Sequence, residues 1–213
     1  MSRPAQLALG GDVPAPAAKV QRPAMPAVKH SAETVEWYTP PSLVEMARTV
    51  LGGIDLDPAS CEQANRVVRA RHILTESADA LTCAADAWRG LDGGVFINPP
   101  GGIRQLAGER PTSQPLLFWR RLMELRASEL FGHAVFFAFS AELLQVSQGR
   151  DYPSLADFPI CAPAKRIRCV AIDGTPGPSP PRSSLLAYVP GTIDRTDAFA
   201  ATFGELGAIL VPR

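Results

Sequence analysis

The chain has 213 residues, of which 46% are apolar, and its 21 Lys and Arg residues balance 21 Asp and Glu residues. This length and composition allow one substantial core and favour a single folded domain. The zero net charge excludes a protein that an overall positive field draws to nucleic acid, so any DNA contact must be local. No apolar segment approaches the roughly 20 residues of a membrane span, and the protein is expected to be soluble.

Cysteine and histidine usage points to a cytoplasmic protein without a metal. The four cysteines, Cys61, Cys83, Cys161 and Cys169, form no Cys-x-x-Cys pair, and the sequence shows no signal peptide. Both features predict reduced thiols that serve packing. The three histidines are too scattered to complete a zinc site, so no metal ion is expected.

Residues 1–34 differ in composition from the rest of the chain. They contain mainly Ala, Pro and Gly with a few basic residues and no aromatic residue. Such a segment cannot bury enough surface to offset the entropy of ordering, and we predict a disordered tail. The folded domain is then expected to span residues 35–213.

The predicted elements alternate along the folded domain. Helices are expected where apolar residues recur at helical spacing, over residues 43–51, 60–68, 116–130 and 199–206. Strands are expected where short apolar runs end at Pro, Gly or polar residues, over residues 54–59, 72–74, 94–97, 134–139, 167–172, 185–189 and 208–211. Residues 75–86 are expected to form an irregular or helical crossover and residues 101–113 a loop. This alternation predicts an α/β fold with a mostly parallel sheet covered on both faces, and the long connection at residues 173–181 is compatible with an antiparallel C-terminal hairpin.

The ends of the first two helices carry local signals. Thr39 before Pro40, or Ser42 with a Glu three residues later, predicts the first helix start, and glycines at 52 and 53 predict its end. Ser60 and Gln63 form a predicted capping box for the second helix.

The segment Asn98-Pro99-Pro100-Gly101, which follows a buried strand, indicates a chemistry. Its prolines make a rigid turn that can present two hydrogen-bond acceptors, the Asn98 side-chain oxygen and the Pro99 carbonyl. The amine of adenine or cytosine is nearly planar because its lone pair is delocalised into the ring. Two acceptors on its hydrogens would localise that lone pair toward a methyl donor, so Asn98, Pro99 and Pro100 are the candidate catalytic residues.

The chain resembles the phage-type DNA N6-adenine methyltransferases from about residue 35 to its end. The similar segments keep the family's order and are Glu36-Trp37-Tyr38-Thr39-Pro40, Asp55-Leu56-Asp57-Pro58-Ala59-Ser60, Asn98-Pro99-Pro100, residues 165–168 and residues 199–207. The resemblance implies a Rossmann-like fold with S-adenosylmethionine across the carboxyl ends of the strands. It also implies transfer to adenine N6 in duplex or single-stranded DNA by a phage- or prophage-encoded protein in the bacterial cytoplasm.

The resemblance assigns cofactor contacts to three parts of the chain. Asp57 is the principal one, because the ammonium of the methionine end needs an anionic partner. The full set is Trp37, Tyr38, Thr39, Pro40, Asp55, Asp57, Pro58, Ala59 and Ser60, together with Asp79 or Asp86. Two alternatives remain: Asp57 can act only as a helix cap, and Trp37 and Tyr38 can be hydrophobic anchors of the fold.

Gly101 departs from the family pattern, which usually has an aromatic residue there to stack on a flipped-out base. Flipping costs a few kcal/mol that stacking helps to offset. We hypothesise that Trp37, Tyr38 or Phe118 takes this place. The alternatives are that the site accepts single-stranded DNA or that activity is weak or lost.

Candidate DNA-binding residues are basic residues in two segments. As a strand, residues 165–168 would place Arg166 and Arg168 on one face and Lys165 on the other, for phosphate contact or as a solvated face. Arg104 and Arg110 lie in the loop after the proline turn. Other functions stay open: transfer to cytosine N4, RNA adenine or a protein amide, and a catalytically silent binding protein that keeps the fold.

Overall fold

The computed structural model describes residues 37–88, 93–171 and 173–212. The predicted tail at residues 1–34, and Glu36 of the first similar segment, lie outside the described residues. No helix in the described part of the chain is both long and apolar enough to cross a membrane.

The described residues form five α-helices and nine strands. The helices are α1 (Pro41–Leu51), α2 (Glu62–Val68), α3 (Gln114–Ala127), α4 (Glu142–Val146) and α5 (Thr196–Phe203). The strands are β1 (Leu56–Asp57), β2 (His72–Ile73), β3 (Gly94–Ile97), β4 (Ile103–Arg104), β5 (Thr112–Ser113), β6 (His133–Ala138), β7 (Ile160–Pro163), β8 (Leu185–Pro190) and β9 (Gly207–Leu210). Short 3-10 turns lie at Glu76–Ala78, Ala85–Trp88 and Leu155–Asp157.

Seven of these strands form one sheet in the order β2-β1-β3-β6-β8-β7-β9. The first four strands pair in parallel. The β8 strand is antiparallel to both β6 and β7, and β9 is antiparallel to β7. Five strands therefore run in one direction and two in the other, which confirms the predicted α/β class and the mostly parallel sheet. The C-terminal strands pair antiparallel, but the partner of β8 is β7 and not residues 167–172.

Helices cover both faces of the sheet. In β3, Val95 and Ile97 belong to one apolar cluster with residues of α3, and Phe96 belongs to a second cluster with residues of α1 and α5. This alternation follows from the two-residue period of a strand. All four residues of β3 and all six of β6 are buried, as expected for central strands of a parallel sheet.

The first helix forms for the predicted reasons, with one difference at its start. It buries an apolar face that includes Leu43, Ala47 and Val50. Gly52 ends it in the left-handed region at φ 69°, where few residues other than glycine are stable. The N-cap is Pro40, and no side chain caps the helix. The expected caps Thr39 and Ser42 are therefore wrong, and the Thr39 hydroxyl bonds elsewhere.

Two further boundary predictions are wrong by a short distance. The N-cap of α2 is Cys61, whose sulfur accepts a hydrogen bond from the Ala64 amide, and not Ser60. The third helix ends at Ala127, because Glu129 adopts a positive φ of 53° that no helix continues through. The predicted last residue of that helix, Leu130, therefore lies beyond it.

The strand predicted at residues 167–172 is wrong. Within the described residues of this segment, only Val170 forms isolated bridges, to Tyr38 and Pro176. The sheet strand at this place in the order is β7, which pairs with both β8 and β9. The β7 segment was not predicted as a strand because it ends in Pro163, and proline is disfavoured within sheets. The loop predicted at residues 101–113 also contains a short hairpin, β4 with β5.

Candidate functional site

The site predicted from the sequence lies where the strand order reverses. From β1 the chain crosses to β2 on one side and then returns to β3 on the other side of β1. In open α/β sheets, ligands bind in the crevice outside the carboxyl ends of the strands at such a point. Asp57 ends β1 and Asn98 follows β3, so both lie at this edge, which we call the carboxyl edge.

Asp57 is a buried carboxylate at the carboxyl edge. Its residue surface is 3% exposed, and its Oδ1 accepts a hydrogen bond of 3.1 Å from the Ala59 amide. Burial raises the pKa of Asp57 to about 6, against the opposing effect of hydrogen bonds from Ala59 and Ser60. No Lys or Arg in the described part of the chain contributes to this pKa. A buried carboxylate without a cationic partner is a candidate site for a cationic ligand.

The turn after β1 is held by backbone hydrogen bonds. The Ser60 amide donates to the Leu74 carbonyl at 3.2 Å, just beyond β2, and the Leu74 amide donates to the Asp57 carbonyl at 3.0 Å. Pro58 is buried and Ala59 is half-buried. These contacts fix the Asp57 to Ser60 segment as a rigid corner, so the helix-cap alternative for Asp57 does not describe its contacts. The cap of α2 is Cys61.

Asn98 is oriented by a contact across 59 residues of sequence. Its Nδ2 donates a 2.9 Å hydrogen bond to the Thr39 hydroxyl oxygen. Because Nδ2 is engaged by Thr39, the free acceptor of this side chain is Oδ1. No donor among the described residues forms a hydrogen bond to Oδ1. The Pro99 carbonyl accepts no backbone hydrogen bond within the described residues either. The two predicted acceptors therefore lie on consecutive residues and are both unengaged.

Thr39 thus has a contact that sequence reasoning missed. The resemblance assigns it to the cofactor, whereas its hydroxyl holds the side chain of Asn98. The residue is 6% exposed. Its segment is fixed on both sides, because Tyr38 pairs with Val170 through two backbone hydrogen bonds and the Pro40 carbonyl starts α1. A Thr before a Pro gives no local sign of a partner this far away.

The two aromatic residues of the first segment contact different neighbours. The ring of Trp37 lies over Gly177, where a side-chain carbon would come within 2.6 Å of ring atom Cζ3. Trp37 is nevertheless 44% exposed. The Tyr38 phenol oxygen lies 3.5 Å from Gln63 Oε1. The Trp37 ring thus packs on the loop after β7, whereas the Tyr38 hydroxyl reaches α2.

Two of the predicted functional residues bond each other. The two terminal guanidinium nitrogens of Arg104 donate to the Asp79 carboxylate, at 2.7 and 2.5 Å. The Arg104 hydrogen bonds hold the pKa of Asp79 at about 2, well below its ordinary 3.8. The pair joins the β4–β5 hairpin to the loop after β2. The other candidate, Asp86, is exposed in the 3-10 turn Ala85–Trp88.

Asp55 lies away from the carboxyl edge. It precedes β1, it is 5% exposed, and Arg71 forms an ion pair with it at 3.0 Å. Its carboxylate fills the space beside Gly93, just before the start of β3. Asp55 is thus at the amino end of the strands, and the structure does not bring it together with Asp57.

The predicted DNA-binding residues all lie in segments that begin at the carboxyl edge. Because β7 runs in the same direction as β6, the chain after Pro163 emerges at that edge. Its basic residues Lys165, Arg166 and Arg168 are exposed on an irregular segment, and not on alternate faces of a strand as expected. Arg166 donates to the Pro180 carbonyl at 2.9 Å. Arg110 is exposed in the hairpin loop.

Position 101, where the family pattern has an aromatic residue, lies near the aromatic ring of Phe139. A side-chain carbon at Gly101 would lie 3.6 Å from Cζ of Phe139. Phe139 directly follows β6 and is half-buried. Of the three aromatic residues proposed from the sequence, Phe118 is 5% exposed within the α3 core cluster, so that part of the hypothesis is wrong. The apolar run over residues 134–139 predicts Phe139 as the last residue of a buried strand, which gives no sign of this position beside Gly101.

Asp57 and Asn98 line neither of two cavities found among the described residues. One cavity lies at residues 194–197, and the other is lined by Glu109, Arg120 and Tyr152 among others. Within the described residues, no group of three His, Cys, Asp or Glu side chains could hold a metal ion. The four cysteines are unpaired thiols.

Comparisons with protein-family models, with curated proteins and with solved structures find no match to this chain. The class that the fold defines is therefore an α/β protein with a seven-stranded, mostly parallel sheet. The family resemblance stays a prediction, and function is inferred from the residues of the carboxyl edge.

Proposed function

We propose that the protein is an S-adenosylmethionine-dependent methyltransferase that acts on the N6 amino group of adenine in DNA. The observation that carries this proposal is the arrangement of Asn98 and Pro99: two unengaged acceptors on a rigid turn after β3, with a buried carboxylate at the end of the neighbouring strand β1, where the strand order reverses. The acceptors suit a planar amine, and the carboxylate suits the ammonium of a methionine group.

The chemistry of the donor set fits this cofactor. A buried Asp57 whose pKa is raised to about 6 gains from a nearby ammonium, because an opposite charge favours the ionised form. The turn at Ala59 and Ser60, at the same edge, and the exposed Trp37 ring offer further contacts. When bound, S-adenosylmethionine supplies a methyl group on a sulfonium, which is electrophilic enough for direct transfer to nitrogen.

The residues of the turn prepare the substrate amine for that transfer. Asn98 Oδ1 and the Pro99 carbonyl each accept one N–H, which draws the amine out of conjugation and localises its lone pair. Thr39 keeps Oδ1 in place by holding Nδ2. The proline pair has no N–H that could compete for either acceptor. On transfer, the N–C bond would form as the S–C bond breaks, so the sulfonium would leave as a neutral thioether. The nitrogen then loses one proton to solvent, and no covalent bond to the protein forms.

DNA contact is proposed for the loops at the carboxyl edge. The exposed Arg110, Lys165, Arg166 and Arg168 supply local positive charge to a chain whose net charge is zero. Phosphate contacts position a nucleic acid without reading its sequence. Recognition of a base is then left to the acceptor pair and its surroundings.

A methyl-transfer assay tests the proposal. The protein is incubated with isotopically labelled S-adenosylmethionine and unmethylated DNA, the DNA is digested, and the labelled nucleoside is identified by mass. The proposal predicts label in N6-methyladenine for the wild type and none for Asn98→Ala. Label in N4-methylcytosine would keep the chemistry and change the substrate. Cofactor binding with no transfer to DNA or RNA would favour the silent binding protein.

A further inference from the structure

The proline turn lies against an aromatic ring that no part of the proposed function uses. The β3 and β6 strands are parallel neighbours, with Ile97 level with Phe136. Asn98 and Phe139 therefore both follow strand ends at the carboxyl edge. Three residues after Asn98, Gly101 approaches the Phe139 ring, with distances of 3.6 Å to Cζ and 3.9 Å to Cε2 from the position of a side-chain carbon.

Gly101 matters because it has no side chain, and not because its backbone conformation requires glycine. Gly102 next to it has a φ of 87°, where glycine is favoured, but Gly101 is outside the positive-φ region. An L residue would fit the backbone of Gly101. A side-chain carbon at this position would already be in van der Waals contact with the Phe139 ring, at 3.6 Å from Cζ. Glycine therefore keeps the ring of Phe139 open on the side of the turn.

The Phe139 ring is both anchored and accessible. It packs partly against the apolar cluster of α1 and α5, yet it is only half-buried. Gly101 itself is exposed and is held by a 2.7 Å hydrogen bond from Gln114 Nε2 to its carbonyl. Trp37 lies instead against Gly177. Phe139 is thus an aromatic ring that lies directly beside the proline turn.

We propose that Phe139 is the residue on which the substrate's ring stacks while Asn98 and Pro99 hold its amine, an inference that rests on the proposed function. A ring fixed beside two acceptors recognises an amine attached to a flat aromatic heterocycle. An aliphatic amide lacks the second planar surface that such stacking uses. The pair of features therefore selects a nucleobase amine over the side-chain amide of a protein.

Four proteins test this role: wild type, Phe139→Leu, Phe139→Trp and the double variant Gly101→Tyr with Phe139→Leu. Leu keeps the packing toward the core and removes the aromatic face, so a folded variant is expected. The dissociation constant for a fluorescein-labelled single-stranded oligodeoxyadenylate is measured by anisotropy. The KM for DNA, the kcat of methyl transfer and the cofactor dissociation constant are measured in parallel.

Phe139→Leu is expected to weaken oligonucleotide binding and raise the KM by about 5-fold or more, as for the loss of one stacked base. Phe139→Trp should stay near wild type, and the double variant should recover most of the loss by placing a ring from position 101. The cofactor dissociation constant should not change. Unchanged binding and KM in Phe139→Leu, or no recovery in the double variant, would overturn the proposal. A binding loss in Phe139→Leu without any methyl transfer by the wild type would count against the proposed function alone.

Discussion

Replacing Asp57 with Asn should make the protein more stable at neutral and higher pH. The carboxylate is 3% exposed and its pKa is raised from 3.8 to about 6 by burial. Because of this difference, the ionised carboxylate destabilises the native state by about 3 kcal/mol relative to the unfolded chain. Asn has the same shape, can accept the hydrogen bond from Ala59, and carries no charge to bury.

The sign of the pH dependence follows from the raised pKa. The native state binds a proton on Asp57 more tightly than the unfolded chain, so this stabilisation is fully present below pH 3.8 and is lost as the pH rises through about 6. The Asp57→Asn substitution removes the titration. The stability advantage of the variant over the wild type should therefore be small at low pH and approach ~3 kcal/mol above about pH 7.

Urea denaturation of both proteins between about pH 5 and about pH 8 measures this difference. Asp151→Asn, at an exposed position, is the matched control and should show no comparable pH dependence. S-adenosylmethionine should raise the stability of the wild type and leave Asp57→Asn nearly unchanged. An Asn variant that is less stable than wild type at the upper pH, or that the ligand stabilises equally, would contradict this role of Asp57.

Three further outcomes are expected. Thr39→Val, which keeps the shape and loses the hydroxyl, should lower kcat about 10- to 100-fold with little change in KM because Asn98 loses its orientation, whereas Thr39→Ser should retain most activity; equal kcat for both variants would contradict the positioning role. Arg104→Ala should raise the pKa of Asp79 from about 2 toward 3.8, as followed by NMR titration, and should cost no more than about 1 kcal/mol because the pair is partly exposed; an unmoved pKa would show that the pair does not form in solution. Burial lowers the pKa of His133 below its ordinary 6.5, so its stabilisation is present above that pH and is lost as the pH falls; His133→Gln should flatten this part of the pH–stability curve, and an unchanged curve would contradict the assignment.

The sequence predicted the core of the sheet because burial leaves a local signal there. Residues 94–97 and the strand near residues 134–139 are continuous apolar runs, as central parallel strands require. The β7 strand was missed because it ends in Pro163, and the alternating basic segment after it resembled a strand. The β4–β5 hairpin has two residues per strand, which is too short for periodicity to detect.

The candidate site was predictable only as far as its local turns. The positions of Asp57 and Asn98 follow from strand ends, and parallel strands bring such ends to one edge. The hydrogen bond between Asn98 and Thr39 spans 59 residues, and Gly101 lies near Phe139 only because the segments after β3 and β6 meet at one edge. Neither leaves a pattern in composition or spacing. The bidentate pair of Asp79 and Arg104 joins residues 25 apart in sequence and leaves no such pattern either.

The catalytic role of Asn98 is tested by the single-turnover rate of methyl transfer to adenine with the protein in excess over DNA, for the wild type and Asn98→Ala. The cofactor dissociation constant is measured for both proteins by calorimetry. We expect the rate to fall at least about 100-fold in the variant, as for the loss of a transition-state hydrogen bond, while the cofactor dissociation constant stays the same. Equal rates in the two proteins, or a wild type that binds the cofactor and transfers no methyl group to adenine, would contradict the proposed function.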